Sequence, residues 1–263
     1  MTCRSLLFFV FLFLLPVVQA QRVVSLSPAL TELVCYLGAS EKLVGRSSAC
    51  NEPPNVKKLP IAGQFGMPNL EKIIRLKADL VLSNDFIQPL MAKKMRSMGI
   101  QVELHQCRDL TDYREWVTKL GTLLEVPQKA KNEIQKLDSF LQEFKTPKNP
   151  KKVLWVIWDK PLMIAGNTSF LSEVIQYSGG ENCCKNVQAP YFKCSYDWLL
   201  QHPPDVIIWS ATQIEWQKNN FWKKMSAVQQ GHVIIPENPD LLLRPGPRIF
   251  TGINLLKQRL QKM

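Results

Sequence analysis

The stretch PQKAKNEIQKLDSFLQEF (127–144), followed by KTPKNP (145–150) and KKVLWVIW (151–158), decides how this chain is divided. Ala130, Ile134, Leu137 and Leu141 recur at spacings of three and four, the pattern of a helix with one apolar stripe, and Pro127 suits a helix's first turn. Pro147 and Pro150 then break the helix, and the apolar run 153–158 reads as a buried strand. A long charged helix ending in breakers before a fresh strand predicts a connector over 125–149. It would join an N-terminal lobe, 21–124, to a C-terminal lobe, 150–263.

On either side of the connector, strands alternate with helices, which predicts an α/β fold of two lobes. In the first lobe, strands are expected at 22–26, 79–83 and 101–105, with helices around 69–76, 89–98 and 110–124. An early helix carries Leu30, Leu33, Val34 and Leu37 and closes at Gly38. The second lobe repeats this grammar with helices at 169–177 and 196–201, strands at 205–210 and 232–235, and a last helix from Arg248. Asn167-Thr168-Ser169 has the form of a glycosylation acceptor but sits where a helix-start loop is expected.

One internal echo stands out. Asn69-Leu70-Glu71, then Ile73, Ile74 and Asp79-Leu80-Val81, parallels Ser195-Tyr196-Asp197, then Leu199, Leu200 and Asp205-Val206-Ile207 at identical offsets. In each copy a capping residue starts a helix, an acid follows two residues on, and another Asp precedes an apolar strand. Each lobe therefore presents one acid, Glu71 or Asp197, at an equivalent place. The pair reads in one of two ways: as acids that merely suit their helix dipoles, or as a docking surface for a symmetric partner with basic pockets.

The first twenty residues read as an export signal: Arg4, an apolar run from Leu6 to Leu15, Pro16, then the small-residue end Val18-Gln19-Ala20. The run is about half of the ~20 apolar residues a membrane span needs. Gln21, not cysteine, follows the cleavage point, so a freely soluble periplasmic protein without a lipid anchor is expected. Of the seven cysteines, Cys3 lies in the signal, leaving Cys35, Cys50, Cys107, Cys183, Cys184 and Cys194. An oxidising compartment permits disulfides, and Cys194 with Cys183 or Cys184 is the expected local pair. Zinc-type spacing with nearby histidines is missing, so no metal site and no cofactor are expected.

The formal net charge is +11. The lysines are scattered and no aromatic-basic motif accompanies them, so a solvated basic surface is expected rather than a nucleic-acid interface. Enzyme chemistry finds no support, because GxSxG, HExxH, phosphate-loop and dinucleotide glycine patterns are all missing. His105, His202 and His232 read as surface or strand-end histidines, and most tryptophans as core. Trp158 and Trp209, at strand ends, are the two placed to reach the cleft.

The opening Arg22-Val23-Val24-Ser25-Leu26-Ser27-Pro28-Ala29-Leu30-Thr31-Glu32-Leu33 with Leu37-Gly38, together with Pro53-Pro54, Asn69-Leu70-Glu71, Gly179-Gly180-Glu181-Asn182, and Arg244 with Pro247-Arg248, resembles the periplasmic cobalamin-binding proteins of ABC importers. The resemblance implies two α/β lobes on one long helix, a monomeric receptor, and small hinge motion. It implies capture of a corrinoid such as cobalamin between the lobes, with haem or an iron siderophore as the alternative. It also implies docking of Glu71 and Asp197 on arginines of the permease dimer. The ligand-binding positions it suggests are Phe65, Asn84, Met163, Tyr191, Asp240 and Arg244. The chain departs from the family where the cobalamin member's aromatics are replaced by Ala49, Asn84 and Met163, and where Ser178 stands in place of a disulfide cysteine.

Overall fold

The computed structural model describes residues 21–84, 87–211 and 219–263, so the export signal expected over 1–20 lies outside the described residues. The first lobe holds β1 (Val23–Ser25), α1 (Pro28–Tyr36), β2 (Leu43–Ser47), β3 (Ile61–Gln64), β4 (Met67–Pro68), α2 (Leu70–Arg75), β5 (Leu80–Asn84), α3 (Pro89–Ser97), β6 (Gln101–His105) and α4 (Leu110–Leu123). Its sheet runs β4-β3-β2-β1-β5-β6 and is parallel except for the β3–β4 pair. β1 and β5 are buried along their whole length, as expected for parallel strands covered by helices on both faces. α1 starts on Pro28 and buries Leu30, Leu33 and Val34, and the chain leaves it through Gly38 at φ +80°, a conformation that favours glycine.

α5 (Pro127–Glu143) follows, and then the second lobe: β7 (Lys151–Trp158), β8 (Met163–Ala165), α6 (Phe170–Tyr177), β9 (Gly180–Asn182), β10 (Tyr191–Lys193), α7 (Tyr196–Gln201), β11 (Val206–Trp209), α8 (Asn220–Lys223), α9 (Ser226–Gln229), β12 (Val233–Ile234), α10 (Asp240–Leu243) and α11 (Ile249–Gln261). The sheet order is β10-β8-β7-β11-β12, with β9 also beside β7. Short strands that the sequence pattern did not reveal, β2 to β4 and β8 to β10, fill out both sheets.

The internal echo is a structural repeat. Asn69 and Ser195 cap α2 and α7 by accepting the N–H of Lys72 and Trp198, and Ile73 and Leu199 below them are fully buried. Asp79 Oδ2 accepts the Arg22 N–H at 2.9 Å ahead of β1, as Asp205 Oδ2 accepts the Lys152 N–H at 2.7 Å within β7. The registers agree too: Val23 pairs with Leu80, and Val153 with Val206.

α5 packs back along α4. A Cβ on Gly121 would stand 2.4 Å from the Ala130 Cβ, so only glycine allows this approach. Tyr113 donates to Glu133 at 2.9 Å, and Arg114 pairs with Asp138. Phe140 of α5 meets Tyr177 of α6 at 5.6 Å and Phe250 of α11 at 5.0 Å between ring centroids. One continuous apolar core runs from Val23 and Leu80 through Leu137 to Val153, Trp155 and Ile253, so the lobes share packed interior. Such a seam resists large relative motion, because close-packed interiors deform little.

The pairing of Cys194 with Cys183 or Cys184 is not formed: all six cysteines from Cys35 to Cys194 are thiols. Cys183 and Cys184 lie 3.6 Å apart, sulfur to sulfur, and pack with Cys194 in the second lobe's own core. Ser178 is buried, and its hydroxyl donates to the Ile253 carbonyl of α11 at 3.3 Å. None of the helices among the described residues is long and apolar enough to cross a membrane.

Candidate functional site

A cleft of about 880 Å³ opens between the lobes. Its first-lobe wall is built from loops that leave the carboxyl ends of parallel strands: Ser27 to Ala29 after β1, Asn84 ending β5, and His105 to Arg108 after β6. Ligands of open α/β sheets bind at such strand ends, because the chain must turn away there and helix starts face the crevice. The opposite wall comes from Thr168 ahead of α6, Pro190 just before β10, Tyr191 at its start, and α10 with the residues after it, Asp240 and Leu243 to Pro245.

Of the residues suggested by the sequence, Phe65, Asn84, Tyr191, Asp240 and Arg244 line this cleft together, with Ala49 beside them. Met163 is not among the lining residues. In the β8–β10 ladder Ala165 is opposite Tyr191 while Met163 is opposite Lys193, so Met163 sits two residues further from the cleft. Trp158 and Trp209 do not line it either. Trp209 is buried against Trp222, and the exposed Trp158 donates its indole N–H to the Lys160 carbonyl. Glu71 and Asp197 occupy the exposed first turns of α2 and α7.

Phe65 and Tyr191, 43% and 46% exposed, are the cleft's two large rings among the described residues. Asn84 is buried and its Oδ1 accepts from Ser83 at 3.4 Å, which leaves its amide donors for a ligand. The charged side chains of the wall among the described residues, Arg108, Asp240 and Arg244, are all paired within the chain. Arg108 makes a two-pronged contact with Asp112, at 3.0 and 3.3 Å, and holds that carboxyl below its usual range. Arg244 contacts Glu32 at 2.9 Å, Asp240 at 2.6 Å and Asn51 at 2.8 Å. Arg248 grips the same Glu32 through Nε at 2.7 Å and Nη2 at 2.8 Å. Glu32, 5% exposed on α1, thus ties the C-terminal segment to the first lobe across the floor of the cleft.

His105, expected as a surface or strand-end histidine, ends β6 and is buried in the cleft wall, edge-on to Trp116 at 4.7 Å. Burial lowers its pKa to about 4, against the opposing pull of Asp112, so the ring is neutral at neutral pH. The signal that would have found it is its place at the carboxyl end of an expected strand, with Gln106 to Arg108 directly after it.

A second contact crosses between the lobes beside the cleft. The Leu110 N–H at the start of α4 donates to Glu173 of α6 at 2.6 Å. Burial raises the Glu173 carboxyl to about 7; the Leu110 N–H pulls it down, and Asp109 and Asp112 push it further up. Between about 4.5 and 7 the folded chain keeps a proton that the unfolded chain has released, so this group's contribution to stability falls as pH rises through that window. In urea unfolding, Glu173→Gln is therefore expected to gain on the wild type from pH 5 to pH 8. An equal offset at both values would contradict this.

Gly166 seats the opposite wall. A Cβ there would stand 2.0 Å from the Ala189 carbonyl oxygen, while the Gly166 N–H donates to Pro190 at 3.0 Å. Gly166→Ala is expected to displace Pro190 and Tyr191, costing about 2 kcal/mol in thermal unfolding and weakening ligand binding.

A family model described as periplasmic binding protein matches residues 23–238. The chain belongs to the periplasmic binding protein family. This binding protein is 28% identical over 241 residues to the vitamin B12-binding protein of Vibrio vulnificus, covering 89% of this chain and 87% of that one. Among solved structures it is similar to the periplasmic vitamin B12 binding protein of Vibrio cholerae, with 26% identity, a TM-score of 0.75, and 92% and 97% of the two chains covered. A periplasmic heme binding protein from Pseudomonas aeruginosa shares the fold, with 24% identity, a TM-score of 0.78, and coverage of 91% and 92%. The chain is a binding protein and not an enzyme, and its two α/β lobes are the family's fold.

Proposed function

We propose that this protein is the soluble receptor of an ABC importer, capturing a corrinoid such as vitamin B12 between its lobes and handing it to a permease dimer. The observation that carries the ligand class is the charge balance of the cleft: Arg108, Arg244 and Asp240 are all paired within the chain. Among the described residues the wall carries no unpaired charge, which suits a large chelate with little net charge, apolar faces and an amide-bearing rim. Phe65 and Tyr191 would lie against the faces, and Asn84, Asp240 and Arg244 would meet the rim.

Haem, the alternative, asks for an axial ligand and for cations to meet its carboxylates. Tyr191 is the available oxygen ligand, but the surrounding protein raises its phenol pKa and so favours the protonated, poorly ligating form. His105 Nε2 is buried within the wall.

The chain would leave the cytoplasm through a cleavable signal at 1–20 and act as a periplasmic monomer. Lobes 21–124 and 150–263 would be held at nearly fixed separation by the connector 125–149. Docking on the permease would run through Glu71 and Asp197. Calorimetric titration with cyanocobalamin, haem and a ferric siderophore under identical conditions tests the ligand. One-to-one binding of cyanocobalamin is expected; heat from haem or the siderophore alone would move the substrate to iron.

A further inference from the structure

The repeat that places Glu71 and Asp197 also places a second side chain that the fold does not call for. Three residues after each acid, one turn along the same helix face, stand Ile74 and Leu200, 43% and 66% exposed. Their neighbours Ile73 and Leu199 are fully buried and supply the packing that holds each helix to its lobe. Two large apolar side chains left in water at equivalent positions, each beside an acid on a strongly basic chain, form a duplicated pair rather than two scattered exposures. Leu200 also has room next to it, a hollow of about 500 Å³ that it borders with Pro203 and Phe221.

We propose that each lobe docks through an acid and an apolar side chain together, Glu71 with Ile74 and Asp197 with Leu200, against a permease dimer that offers an apolar side chain beside each basic one. This rests on the importer function proposed above. The charges favour that occupant over a second copy of this chain, because a two-fold pairing of these faces would set acid against acid. They also make the halves unequal. Glu71 already shares its charge with Arg75 at 3.3 Å, whereas Asp197 has no ion pair among the described residues. The second lobe should therefore contribute more of the ionic attraction, and the apolar contacts should sustain what remains when salt screens it.

The test is binding of ligand-loaded protein to the permease dimer in nanodiscs, at low and at high salt, for wild type, Ile74→Ser, Leu200→Ser and the double variant. Each single variant is expected to lose about tenfold in affinity, with the loss persisting at high salt, as for an apolar side chain that goes unburied. Ligand titration should be unchanged, and the conservative Leu200→Met should retain most of the affinity. A double variant that binds like wild type at both salts overturns the apolar contact while leaving ionic docking in place. Absence of wild-type binding sinks both. A wild-type dimer in sedimentation that the double variant abolishes would assign the patches to self-association instead.

Discussion

Glu32→Ala is expected to lower the unfolding free energy by about 3 kcal/mol, because removing one partner of a buried ion pair leaves the others without compensation. Here the loss falls on two guanidinium groups at once. Arg244 and Arg248 both bond to Glu32, and their side chains are only 14% and 31% exposed. Asp240 and Asn51 would still hold Arg244, so that arginine should remain near its place. Arg248 loses both of its bonds to Glu32, the start of α11 loosens, and the tie between α1 and the C-terminal segment goes with it. Glu32→Gln, which keeps the shape and one acceptor, should cost clearly less. Urea unfolding of the three proteins checks this, and a loss below about 1 kcal/mol for Glu32→Ala would show that the cluster is solvated rather than structural. Ligand affinity should fall much less than stability, since the cleft-lining Arg244 and Asp240 keep each other in place.

Reversing both acids, Glu71→Lys with Asp197→Lys, is expected to abolish transport while leaving ligand binding and stability close to wild type. Both acids are exposed in the first turns of short helices on the lobe surfaces, and neither lines the cleft. Each reversal replaces an attraction with a repulsion of similar size against a basic partner, and like-charge contacts across an interface cost several kcal/mol. The effects should be unequal. Asp197→Lys should weaken uptake more than Glu71→Lys, because Glu71 must first leave Arg75 to serve a partner. Uptake of labelled ligand by cells carrying each variant, with binding measured on the purified proteins, checks this. Intact transport by the double reversal with intact binding would remove these acids from the docking surface.

Much of the fold could be read locally. The elements found from pattern are those whose pattern is long or whose ends are marked. α5 has its spaced apolar residues and Pro127, α7 its serine cap and acid, and β5 an uninterrupted apolar core. The short strands escaped notice because they carry too little signal. β2 includes Gly45 and Arg46, β4 has two residues, and β8 to β10 have three each. Their strand character comes from neighbours in the sheet, which no local window contains.

The cleft divides along the same line. Asn84 and the turn carrying Asp240 and Arg244 were reached through resemblance, while His105 and Arg108 were missed for want of any marker beyond their position after β6. Met163 shows how fine the requirement is: it stands on β8 opposite Lys193, two residues along from the Ala165–Tyr191 pair, and that displacement alone keeps it out of the cleft wall.

The sequence by itself determined the alternation of strands and helices, the long helix that begins at Pro127, and the duplicated acid on its capped helix, because each depends on residues within about one helix length of one another. Only the tertiary structure decided which strand ends meet at the cleft, how its charges cancel, and that Glu32 reaches Arg244 and Arg248 more than two hundred residues away. Periodicity and capping are local properties of a chain. The partner of a buried charge is chosen by the packing of the whole molecule, which alone brings such distant groups together and excludes the water that would otherwise solvate them.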